Sequence, residues 1–217
     1  MQILRVFFGL LLIGCSGAPS PIKKKESASI NTHPSNKISL SGNYDIYKKN
    51  SKKILTLYNT NPNTLNELQL LKFISDSLLP CWYGTPWDFN GTTTQPQKGN
   101  IACGYFVTTV LQDIGLQINR NKLAKCPSSI LIERTCSNIS RYSNKSLEHF
   151  VNEIKSKGFG LDITGLDYHT GFIYNDGIDV YFIHSSYYLP KTVIRENAIE
   201  STALRNSKFR MVGKVKF

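Results

Sequence analysis

The sequence predicts an α+β fold, with helices gathered in the first half of a folded domain and an antiparallel sheet filling the second. Two patterns carry that expectation. Apolar residues recur at helical spacing over 64–78 and 103–114, whereas 160–217 holds four β-prone runs, two of them separated by the hairpin signal Asn175-Asp176-Gly177. Helices followed by strands, rather than the two alternating, point to an antiparallel sheet. A third observation bears on chemistry: Cys103 opens the second helical run, and His169 and His184 lie in two of the β-prone runs.

Residues 1–14 read as a secretory signal. Arg5 supplies the positive end, and the apolar run 6–13 is too short to span a bilayer. It ends in Leu12-Ile13-Gly14-Cys15, which resembles a bacterial lipobox, so Cys15 is the expected lipidation site and new N-terminus. Acylation there would hold the protein on a membrane surface. The expected location is therefore the bacterial cell envelope, periplasmic or surface-facing.

Residues 15–54 have the composition of a flexible Lys/Ser-rich tether, with few large apolar residues to offset the entropy of ordering. Eight of the chain's 26 basic residues lie between Ala18 and Ile54 against only Glu26 and Asp45. Most of the formal net charge of +11 thus belongs to the leader and tether, and the body carries only +4. That distribution, without interleaved aromatic and basic residues, argues against a nucleic-acid partner. Residues 55–217 are expected to form one domain.

Within that domain, Thr64-Leu65-Asn66-Glu67 has the form of a capping box, opening a helix that Pro80 should stop. An aromatic loop follows, Cys81-Trp82-Tyr83-Gly84-Thr85-Pro86-Trp87-Asp88-Phe89-Asn90-Gly91, whose rings either plug the core or line a groove. Next, Cys103, Phe106, Val107, Val110, Leu111 and Ile114 form one apolar stripe, and Gly115 ends the helix. Small Ala102 and Gly104 beside the thiol should leave room for a substrate. Residues 121–145 carry no clear period. Residues 146–157 predict an amphipathic helix with His149 on its polar side; His33 falls in the tether. Cys126 and Cys136 bracket a short segment and are candidates for a disulfide, which the sequence leaves open. Neither Cys-x-x-Cys nor His-x-x-x-His spacing occurs, so no metal is expected.

Register links the histidines. A two-residue Asp176-Gly177 turn would set His169 directly opposite His184, on a face shared with Gly171, Ile173, Val180 and Phe182 that should pack on the cysteine helix. A turn centred on Asn175-Asp176 would make the pair diagonal. A thiol on the first turn of a helix experiences partial positive charge, which favours the thiolate. With an imidazole as base and a second group to orient it, this is the equipment of a cysteine nucleophile. Cys103 is the expected nucleophile, His169 the base and His184 its orienting partner. The oxyanion would be held by the Cys103 amide and a group from the aromatic loop.

These residues resemble the NlpC-type cell-wall peptidases, which are papain-like cysteine hydrolases. Trp87-Asp88-Phe89-Asn90-Gly91 is similar to the family's aromatic loop, and Ala102-Cys103-Gly104-Tyr105-Phe106 to the start of its nucleophile helix. Ile118-Asn119-Arg120 is similar to a Leu-Pro-Arg segment that follows it. His169-Thr170-Gly171-Phe172-Ile173 and Phe182-Ile183-His184-Ser185-Ser186 are similar to its two histidine strands. The resemblance spans about residues 82–186. It implies a papain-like fold with the nucleophile helix packed on an antiparallel sheet, a Cys-His-His triad, an acyl-enzyme and no cofactor. It also implies a substrate amide in peptidoglycan stem peptides, with Tyr83, Trp87, Gly104 and Tyr105 at the oxyanion and substrate positions. Ala102 stands for the family's usual acid, Gly104 for its serine, Trp87 for a tyrosine and Asn90 for a loop glycine; Tyr83 is the candidate to take that tyrosine's role. These departures leave room for an acyltransferase, deamidase or amidase on another substrate, or for a wall-binding lipoprotein in which Cys103 is merely buried.

Overall fold

The computed structural model describes residues 43–217. The signal segment, the lipobox with Cys15, His33 and the tether up to residue 42 lie outside the described residues. Among the described residues no helix is long and apolar enough to cross a membrane.

The fold is α+β, as the order of patterns predicts. Seven α-helices and six strands follow one another as α1 (Tyr44–Thr60), α2 (Thr64–Phe73), α3 (Cys103–Ile114), α4 (Arg120–Ala124), α5 (Ser128–Thr135), β1 (Cys136–Ser143), α6 (Leu147–Ser156), β2 (Gly160–Leu166), β3 (Thr170–Asn175), β4 (Val180–Ser185), β5 (Val193–Asn197), α7 (Thr202–Asn206) and β6 (Phe209–Val215). The strands form one antiparallel sheet in the order β1-β6-β2-β3-β4-β5.

Each face of the sheet has its own helices. On one side Phe106 and Val110 of α3 pack with Ile163, Phe172, Ile183 and Met211, and the cluster extends to Leu70 of α2 and Ile132 of α5. On the other, Phe150 and Ile154 of α6 and Leu204 of α7 cover Ile173, Val180, Phe182 and Val212. The alternation of side chains along a strand sends Phe172 one way and Ile173 the other. The cysteine helix therefore lies on the face opposite the one expected: Ile173, Val180 and Phe182 pack under α6 and α7 instead.

Domain onset also differs. Helix begins at Tyr44, eleven residues before the domain start at 55 that composition suggests, because α1 docks through polar groups that hydropathy does not register. The Tyr44 hydroxyl donates to Asp113 Oδ2 on α3 at 2.5 Å and accepts from Trp82 Nε1 at 2.9 Å, while Lys48 Nζ pairs with Asp113 Oδ1 at 2.7 Å. Tyr44 and Trp82 are fully buried, and burial beside the Asp113 carboxylate holds the Tyr44 proton firmly in place.

Other boundaries move by physical detail. Asn63, not Thr64, caps α2 by accepting from the Asn66 amide, and the helix continues through a π turn (Ile74–Leu78) and a 3₁₀ turn (Leu79–Trp82) rather than stopping at Pro80. Pro80 falls in the first turn of that 3₁₀ segment, where no donor is needed. The amphipathic helix predicted over 146–157 is α6, with Ser146 as its N-cap, Leu147, Phe150, Val151 and Ile154 buried and His149 exposed. Cys126 and Cys136 are both free thiols: Cys136 sits in the core beneath Gly213, and the Cys126 thiol donates to the Lys122 carbonyl.

Tyr44→Phe should leave Asp113 with one fewer donor in a buried site. We expect a loss of about 1–3 kcal/mol in urea denaturation. A change below about 0.5 kcal/mol would show that α1 docks without this network.

Candidate functional site

Helix α3 starts at Cys103 and ends at Gly115, whose φ of +124° suits a glycine C-cap. Its N-cap is Ala102, in extended conformation and without a side-chain cap, so the first amides of the helix stay open for another acceptor. The loop before it is fixed from both sides. The Ile101 amide donates to the Pro86 carbonyl, the Ala102 amide to that of Gly91, and the Ser185 hydroxyl at the end of β4 donates to the Ile101 carbonyl at 2.7 Å. That last bond ties the nucleophile loop to the strand carrying His184.

His169 Nε2 lies 2.7 Å from His184 Nδ1, and His184 Nε2 lies 3.0 Å from Glu196 Oε1 on β5. Both imidazoles are buried. The register differs from the two-residue turn: Phe172 pairs with Ile183 and Asn175 with Val180, so four residues, 176–179, form the loop. Asp176 builds it by accepting from the Ile178 and Asp179 amides at 2.9 and 2.8 Å, and Gly177 takes φ +94°. Pairing shifts by two residues, which preserves the face, so the histidines meet diagonally. By the β3–β4 register the residue opposite His184 is Gly171, where a Cβ would stand 2.7 Å from His184 Cβ and 2.6 Å from Phe182 Cε2. Gly171 is therefore the opening through which the two rings approach, and the His184 ring stacks on Phe182 at 4.1 Å.

The chain of groups sets the tautomers. A carboxylate only accepts, so His184 Nε2 carries the proton it donates to Glu196, and His184 Nδ1 is left as an acceptor. His169 then donates from Nε2, and its Nδ1 keeps a bare lone pair. That Nδ1 is buried and has no hydrogen-bond partner, an arrangement that is costly unless it serves a reaction.

The Cys103 thiol is half-buried and sits at the end of the sheet beside the first residue of β3, where the Thr170 amide is close enough to stabilise negative charge on it. Tyr187 links the two groups: its ring lies edge-on to His169 at 5.1 Å, the Cys103 thiol acts on its phenol electrostatically, and Trp87 lies against it at 6.1 Å. No hydrogen bond joins Cys103 Sγ to His169; the two residues are linked through Thr170, which follows His169 and whose amide faces the thiol, and through Tyr187, which interacts with both.

Burial determines the charge states. It raises the Cys103 thiol above its ordinary value, only partly offset by the amides of Thr170, Gly104 and Cys103. The helix-terminal effect expected to favour a thiolate is thus outweighed. Burial, followed by the neighbouring His184, holds His169 well below the ordinary imidazole range. His184 is also lowered by burial, against the opposing pull of Glu196. Burial pushes Glu196 up, but bonds from His184 and Ser201 prevail and leave its carboxyl below the usual value. At neutral pH the site rests as thiol, two neutral imidazoles and one carboxylate.

The remaining candidates scatter. Trp87 borders the opening through its bridge to Ile101 and its contact with Tyr187. Tyr83 does not reach it: its side chain lies among Tyr174, Arg195 and Asp76, toward the opposite end of β3. Tyr105 is buried beneath the Arg120 guanidinium, which stands 4.7 Å over its ring. Gly104 faces the Ala124 carbonyl, which an added Cβ would meet, so it serves the α3–α4 contact rather than substrate room. Glu196 and Tyr187 were not anticipated. Tyr187 lies three residues past His184, whereas Glu196 sits in the charged edge strand Val193–Asn197, which lacks an apolar period.

Comparison with protein-family models, curated proteins and solved structures finds no match for this chain. The functional reading therefore rests on residues and geometry.

Two pH experiments follow. Because both imidazoles titrate lower when folded, the unfolded chain binds more protons just below pH 6.5. Stability is then complete above that pH and falls as pH drops toward the lower folded values, by at most about 1.4 kcal/mol per histidine per pH unit. Urea midpoints between pH 7.5 and 5 should show this decline, and it should flatten in a His169→Gln/His184→Gln double variant. Removing the carboxylate charge with Glu196→Gln should move the His184 titration, followed by NMR, further down; an upward or absent shift would contradict the tautomer assignment.

Proposed function

We propose that the protein is a cysteine hydrolase of the papain-like, NlpC type, anchored in the bacterial envelope through Cys15 and cleaving an amide in peptidoglycan stem peptides. The observation that carries the reaction class is the bare Nδ1 of His169, oriented by His184 and Glu196, on the residue before Thr170, whose amide faces the Cys103 thiol at the start of α3. The envelope location and the stem-peptide substrate rest on the sequence resemblance alone.

Neutral partners imply general-base attack. As Cys103 Sγ closes on the carbonyl carbon, its proton passes to His169 Nδ1. The imidazolium that forms is stabilised through His184 by the Glu196 carboxylate. The oxyanion meets the Cys103 amide at the uncapped start of α3. His169 next delivers the proton to the leaving amine, and an acyl-enzyme remains on Cys103. A water molecule, deprotonated by the same nitrogen, releases the acid and restores the thiol. No cofactor enters the sequence of steps.

A second enzymatic reading has an observation in its favour. The half-buried Trp87, which stands where the family's loop carries a tyrosine, walls the opening together with Tyr187, so a transferase, deamidase or amidase acting on another amide uses the same triad.

Purified full-length protein should release new termini from isolated peptidoglycan, and Cys103→Ala should slow this at least about 10³-fold while leaving the melting temperature within a few degrees. Equal digestion by both proteins would refute the nucleophile. Mass analysis of products separates the readings: a new peptide terminus marks hydrolysis, an added acyl group transfer, and lost ammonia deamidation. Activity should stay level from pH 8 down through pH 6.5 and fall only well below it, where protonation removes the base.

A further inference from the structure

A second cavity lies at the other end of the sheet. Thr170, beside the thiol, and Asn175, on the cavity wall, are the two ends of β3, about 17 Å apart at strand rise. The cavity measures about 470 Å³, within the range of small-molecule sites. It opens between α2, the C-terminal end of α6 and a bulge in β1, where pairing with β6 lapses between Ser137 and Ser140 and Asn138 takes φ +49°. Such bulges are common beside functional sites.

Its chemistry is two-sided. Leu68, Leu71, Ile154, Phe159, Leu161 and Ile173 supply apolar wall. The charged groups are two acids, Glu67 and Asp162, and two bases, Lys157 and Lys214. Lys214 stands directly opposite Asp162 in the β2–β6 register, yet its Nζ turns away to pair with Glu67 at 2.5 Å. The Asp162 carboxyl is left with neither a hydrogen bond nor an ion pair, and burial raises its pKa despite the nearby Lys157 charge. Lys157 reaches only the Ser140 hydroxyl, at 3.5 Å. One carboxylate and one ammonium thus face a shared, largely apolar space without closing on each other.

A ligand with only a carboxylate would meet the exposed Lys157 and leave the half-buried Asp162 carboxyl unpaired, and one with only an ammonium would forgo Lys157. A zwitterion satisfies both and preserves the charge balance. We propose that this cavity binds a free α-amino acid with a large apolar side chain, its ammonium on Asp162, its carboxylate on Lys157 and its side chain against Leu68, Leu71 and Phe159. The site is independent of the reaction at Cys103.

Calorimetric titration of the full-length protein tests it with three probes: L-phenylalanine, 3-phenylpropionate, which lacks the ammonium, and 2-phenylethylamine, which lacks the carboxylate. Phenylalanine should bind at least about tenfold more tightly than either analogue, a difference of about 1.4 kcal/mol. Asp162→Asn and the surface variant Lys157→Gln should each weaken it about tenfold, and Cys103→Ala should bind as the wild type does. Three results would overturn the proposal: no binding at about 10 mM phenylalanine, an analogue that binds equally well, or unchanged affinity in folded Lys157→Gln protein.

Discussion

The rest of the site depends on one diagonal contact, the 2.7 Å approach of His169 Nε2 to His184 Nδ1. Two side chains on neighbouring strands, two residues out of register, are ordinarily some 7–8 Å apart at the backbone. They meet here because the intervening position, Gly171, has no side chain, and because Phe182 supports the His184 ring from below. The four-residue loop closed by Asp176 sets that register. A one-residue slip would turn His184 to the face of α3 and separate the pair. Hairpin, glycine and stacking aromatic are thus a single device for bringing one nitrogen against another.

Once that contact exists, the protonation pattern follows from Glu196. Its carboxylate can only accept, so each imidazole must donate in turn along the row, and the free lone pair is displaced to the far end, at His169 Nδ1. Burial could have defeated such a site by removing charge from every member. It raises the thiol and lowers the imidazoles, so neither partner is ionised at rest. In the proposed reaction the cost is shifted to the moment of attack, when an imidazolium would form and the same dry surroundings would strengthen its attraction to Glu196. A buried relay ending in a carboxylate suits a base that must be neutral before the reaction and charged during it.

The elements that were legible in the sequence are those whose pattern records burial on one side. Cys103–Ile114 and Leu147–Ser156 show their apolar stripes plainly, and the central strands β2, β3, β4 and β6 are rich in branched and aromatic residues. The elements that were not legible are edges and polar docks. Strand β1, with Ser137, Asn138, Ser140 and Arg141, and strand β5, with Arg195, Glu196 and Asn197, pair on one side only, and charged or polar residues are normal there. Helix α1 buries Tyr44, Ser51 and Leu55, a polar set that composition reads as tether. For the site, the meeting of His169 and His184 was readable from spacing and face parity. Parity survives a two-residue shift, which is why His169 and His184 still meet although the turn was misjudged. Glu196 was hidden because it belongs to an unread edge strand.

The face on which the cysteine helix packs separates the thiol from the two imidazoles. Had α3 covered the histidine face, the thiol and both imidazoles would have been sealed between helix and sheet. Instead α3 packs Phe106 on Phe172 at 5.8 Å on one side, the buried histidine rings lie on the other, and the thiol meets the Thr170 amide at the end of β3. The connecting surface is made of loops, with Trp87, Tyr168 and Tyr187 beside the reactive groups and Tyr168 almost fully exposed at 94%. Loops change at little cost to the core that fixes the triad. The scaffold can therefore hold Cys103 and His169 constant while Trp87 and Asn90 depart from the pattern they resemble, and on the proposed function substrate choice would be decided at the strand ends rather than in the packed interior.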